Sequence, residues 1–109
     1  MIREEQYTIR LSSRGRIHVD FKTKKGKVAD FAVNFEIFYK KEWQPILRYD
    51  SAHQETEKQK WKFPHKHTFY PDGRETIISM GKINMDTALT FAIKDIQKNF
   101  KSIEGTFFN

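Results

Sequence analysis

The chain has 109 residues, 20 basic against 14 acidic side chains, a net charge of +6 and no cysteine. That length is one domain with a sizeable core, and the missing thiols exclude disulfide scaffolding, thiolate zinc sites and thiol catalysis. No apolar run is long enough for a membrane span, and Met1-Ile2-Arg3-Glu4-Glu5-Gln6 lacks the apolar stretch of a signal peptide, so the sequence predicts a soluble cytoplasmic protein with no membrane partner.

Residues 6–12 alternate, with Tyr7, Ile9 and Leu11 on one side, the period of a half-buried strand. Ser12-Ser13-Arg14-Gly15 is a turn, its glycine fitting a tight backbone. Residues 16–23 alternate again, Ile17, Val19 and Phe21 against Arg16, His18, Asp20 and Lys22. Lys24-Lys25-Gly26-Lys27 signals a hairpin. Residues 28–39 form the clearest strand, with Phe31, Val33, Phe35, Ile37 and Tyr39 on one face. Lys40-Lys41-Glu42 turns the chain into a fourth strand, Trp43–Asp50, in which Pro45 marks an edge or a bulge.

Residues 51–62 are charged, without period, and read as a long loop. His65–Tyr70 and residues 74–80 are strands five and six around the Pro71-Asp72-Gly73 turn. Asn84 or Asp86 caps a helix. Its apolar face is Leu89, Ala92, Ile93, Ile96, Phe100 and Ile103, and Gly105 ends it. Phe107-Phe108 is expected to pack back on the domain or on a partner. The fold class is therefore α+β: an antiparallel meander of about six strands with one long C-terminal helix on its apolar face.

Three of the four histidines fall between Arg48-Tyr49-Asp50-Ser51-Ala52-His53 and Phe63-Pro64-His65-Lys66-His67. Strand alternation puts His65 and His67 on one face, about 7 Å apart along the chain. Two imidazoles so placed act as base and acid near neutral pH or share a metal. Arg48 suits a phosphate and Asp50 suits orienting an imidazole. His65, His67, Arg48 and Asp50 are the catalytic candidates, and His53, Trp61, Lys62, Lys66 and Tyr49 the substrate-binding ones. A metal site of three histidines needs His53 to close on the other two, with Glu55 or Glu57 able to complete it, so the metal-free pair ranks first and no cofactor is expected.

These two segments resemble those of the small TumE-like toxins of prokaryotic toxin–antitoxin systems, over about residues 30–70. The resemblance implies a toxin held by a cognate antitoxin protein and acting on RNA or translation. RNA brings its own nucleophile, the 2′-OH, so the expectation is a metal-independent endoribonuclease with paired histidines. The alternatives are a non-catalytic module binding nucleic acid or protein through the basic, aromatic loop, a His-ligated metal site, and a homodimer built on a sheet edge.

Overall fold

The protein is described by a computed structural model covering residues 1–51 and 63–108. His53, Trp61 and Lys62, with the rest of 52–62, lie outside the described residues. Six strands form one antiparallel sheet in chain order: β1 (Ile2–Arg10), β2 (Gly15–Lys24), β3 (Lys27–Tyr39), β4 (Glu42–Asp50), β5 (His65–Phe69) and β6 (Glu75–Ser79). One helix follows, α1 (Met85–Phe108). The α+β meander expected from the alternation is the fold observed, because each turn joins neighbours and each strand has one apolar side.

The core lies between the sheet and α1. Ile17, Val19, Phe31, Val33, Phe35, Ile37, Leu47 and Tyr49 meet Ala88, Leu89, Ala92 and Ile96, all buried. The Asn84 side chain caps α1, its Oδ1 accepting from the Thr87 N–H at 2.8 Å. The helix packs chiefly on β3, then on β2 and β4, and its backbone leaves β1, β5 and β6 outside its footprint. This corrects the half-burial expected for the first strand: Tyr7 is exposed, touching Phe21 edge-on. Gly105 does not end α1, because the last turn is held by Phe107 and Phe108, whose rings pack on Tyr39. Gly15 is not needed for a special backbone angle either. A Cβ there would clash with Glu104 Oε1, where the end of the helix bonds back to Ser12.

One irregularity decides what the other side of the sheet carries. In β4, Pro45 pairs with Glu36 and Leu47 with Phe35, so Ile46 is an extra residue with no partner across from it. A strand continued in phase from Trp43 would send 47 and 49 to the open face. The bulge reverses the parity, so Leu47 and Tyr49 enter the core while Arg48 and Asp50 face away from the helix.

The turn into β4 is strained. Lys40 and Lys41 both have positive φ, 53° and 66°, a conformation that glycine and asparagine hold far more cheaply than lysine. Replacing the pair by Asn-Gly is expected to raise unfolding free energy by about 1 kcal/mol, measurable by urea titration.

Candidate metal centre

Across the open face the strands fall into register. Ala32, Asp50 and His65 form one row, and Asn34, Arg48 and His67 form the next. Arg48, Asp50, His65 and His67 thus come together through pairing of β4 with β5, as their alternation requires. The two imidazole centroids are 4.8 Å apart.

The polar atoms of the group have these partners among the described residues. His65 Nδ1–H donates to the Phe63 carbonyl at 3.1 Å, and His67 Nδ1–H donates to Glu75 Oε1 at 2.5 Å. Neither acceptor can donate, so both rings carry a proton on Nδ1. Their Nε2 atoms point the other way, to Asp50 Oδ1, at 2.7 Å from His65 and 3.6 Å from His67. Asp50 Oδ2 accepts from Arg48 Nε at 2.9 Å. Asp50 is 6 % exposed and His65 5 %, and the buried Oδ1 receives no hydrogen bond among the described residues.

Where the two rings are neutral, lone pairs converge on Asp50 Oδ1. A neutral imidazole protonated at Nδ1 presents an electron pair at Nε2, and a carboxylate oxygen 2.7 Å away repels it unless a proton or a cation lies between. The potential donor atoms of Asp50, His65 and His67 all lie within 4.8 Å of one another. Two imidazoles and one carboxylate are ligand types that suit a divalent transition metal. Both rings also have the outer partner that ligating histidines usually have: a backbone carbonyl for one, a carboxylate for the other.

Two substrate-binding candidates are on the other side of the sheet. Tyr49 and Lys66 alternate with the site residues and so face α1. The Tyr49 hydroxyl donates to Asp95, whose other oxygen accepts from Asn99 at 2.8 Å, and Lys66 Nζ is 3.9 Å from Asp95. Burial, then the Asp95 carboxylate, pushes the Tyr49 phenol well above its usual range. These two residues fasten the helix to the sheet. Glu75, absent from the sequence-derived set, belongs to the site through His67. The third donor is Asp50, the residue expected to orient an imidazole, so the group does not require His53.

The remaining histidine, His18, shares the open face but pairs with Thr8 at 3.2 Å and Asp20 at 3.6 Å. The open-face cations are largely matched by acids, as Arg16 with Glu36 and Lys22 with Glu4 show. At the sheet end nearest Asp50, the β2–β3 turn holds Lys24, Lys25 and Lys27, all exposed and without an ion pair among the described residues.

No curated protein and no solved structure matches the chain. Nothing in these comparisons links it to TumE-like toxins. A family model matches residues 2–109, nearly the whole sequence, and the chain belongs to that family, a domain of unknown function (DUF7718).

Proposed function

We propose that this chain is a divalent-metal-dependent phosphodiesterase that cleaves RNA, with Asp50, His65 and His67 as ligands. The observation that carries the reading is the convergence of His65 Nε2, His67 Nε2 and Asp50 Oδ1, with each Nδ1–H tied to an acceptor. A cation held there supplies Lewis acidity toward a phosphoryl oxygen and a bound water of lowered pKa. Arg48 Nε holds Asp50 Oδ2 at 2.9 Å and so orients the carboxylate for ligation, and the Arg48 side chain is partly exposed beside the site. The lysines of the β2–β3 turn, about 17 Å along β3 from the Asp50 row, favour a polyanionic substrate. A toxin role, restrained by an antitoxin, belongs to this reading through the motif residues.

A second reading rests on the same 2.7 Å contact. A doubly protonated His65 would donate to Asp50, leaving His67 to work without metal as acid or base. It fits less well, because the Asp50 carboxylate occupies the space between the rings where a phosphate would have to sit.

The test is calorimetric titration of the protein with zinc, manganese and cobalt, alongside RNA cleavage with and without chelator. One ion bound per chain, with cleavage lost to the chelator and restored by metal, is the expected result. Chelator-resistant cleavage by a protein that binds no ion would replace the metal reading with the histidine pair. Binding of RNA without cleavage in any metal would leave a binding module.

A further inference from the structure

We infer that the outer edge of β6, with the apolar cleft beside it, is a docking surface for an acidic, extended segment of a partner protein, which adds to the sheet as a further strand. The inference is independent of the metal centre and rests on the opposite face of the sheet.

The sheet is open, and β1 and β6 are its two edges. The edges are not equally protected. β1 carries Arg3, Glu4 and Glu5, with ion pairs Arg3–Glu5 and Glu4–Lys22, the kind of charge that discourages strand addition. β6 reads Glu-Thr-Ile-Ile-Ser, and its one charge is engaged with His67 on the open face. Its helix side presents Ile78, 62 % exposed.

Because α1 does not extend over β5 and β6, a cleft of about 330 Å³ remains between β6 and the first half of the helix. Its walls are Tyr49, Ile78, Met80, Ile83 and Phe91, and Phe91 is itself 52 % exposed. An added strand would satisfy the outward backbone groups of β6, and its alternate side chains would fall into this cleft.

Charge selects the partner. Lys66 lines the cleft, Lys82 lies in the chain between Met80 and Ile83, and Lys94 is one turn beyond Phe91. Lys82 and Lys94 are exposed and have no ion pair among the described residues. An acidic segment complements this rim. A second copy of the chain, itself at +6, would bring like charges together across the same edge.

The probe is a short peptide alternating glutamate with valine, compared with its lysine counterpart, added to isotope-labelled protein and followed by amide shifts. The acidic peptide is expected to shift residues 75–80, Lys66 and Phe91, and to slow exchange of the outward β6 amides. Ile78→Asp, at an exposed position that keeps the fold, is expected to weaken it by about tenfold, the value of one lost apolar anchor. Lys82→Glu combined with Lys94→Glu is expected to weaken the acidic peptide similarly. Shifts confined to β1 or the open face, equal binding of both peptides, or no shifts at millimolar peptide would overturn the inference. So would light scattering that shows a dimer of the free protein broken by Ile78→Asp, which would assign the edge to a second copy.

Discussion

His67→Ala is expected to abolish measurable binding of zinc or cobalt and, with it, metal-dependent RNA cleavage. Losing an outer partner of a metal ligand costs roughly 10- to 100-fold in affinity, so losing one of the three proposed ligands costs more. Glu75→Gln provides the graded control. It keeps an acceptor for Nδ1–H but removes the charge, and its loss should fall within that roughly 10- to 100-fold range. His67 is the better target than His65 because it is more exposed, with a side chain 16 % accessible against 6 %. Truncating His65 would also leave a buried carboxylate beside a void. Calorimetry on both variants, with thermal melts to confirm folding, checks the ordering. Equal metal affinity in wild type and His67→Ala would remove the proposed ligand set.

Phe35→Ala is expected to cost about 3–5 kcal/mol of unfolding free energy. The ring is fully buried at the middle of β3, under the helix and between Ile17 and Leu47 in the cross-strand register. A domain of this size has about 5–15 kcal/mol in total, so the variant is expected to unfold in much lower urea, or to be partly unfolded without it. Urea titration followed by fluorescence measures the shift. A loss below about 1 kcal/mol would mean that the helix does not close on β3 as described.

Most of the fold was legible because alternation is a local property. Ile17-Val19-Phe21 and Phe31 through Tyr39 name their own faces, and the helical spacing of Leu89, Ala92 and Ile96 names the face that covers them. Tyr49 and Lys66 lie apart from the other site candidates by the same rule: they differ by one from Arg48, Asp50, His65 and His67, and one step along a strand is the opposite side of the sheet. Pro45 did carry the signal of the Ile46 bulge, though not its consequence, which is to turn Arg48 and Asp50 outward. Glu75 could have been found by counting back from the Pro71-Asp72-Gly73 turn, which pairs Phe69 with Glu75 and puts His67 diagonally opposite. The end of α1 is not legible from Gly105, because two phenylalanines beyond it are anchored on Tyr39 and carry the helix on.

Asp50 closes β4 and His65 opens β5, so the longest connection in the meander begins and ends at proposed ligands. An ion shared by the two would fasten that connection shut, much as a covalent cross-link closes a ring. By chain-entropy reasoning, a cross-link around a loop of about 15 residues is worth about 3 kcal/mol, and metal clips act on the same term. The β5–β6 hairpin lies beyond the footprint of the helix backbone and joins the rest of the sheet through the pairing of β5 with β4. The cation would thus be a clasp as well as a reagent, and starving the protein of it would loosen the last third of the sheet before disturbing the rest.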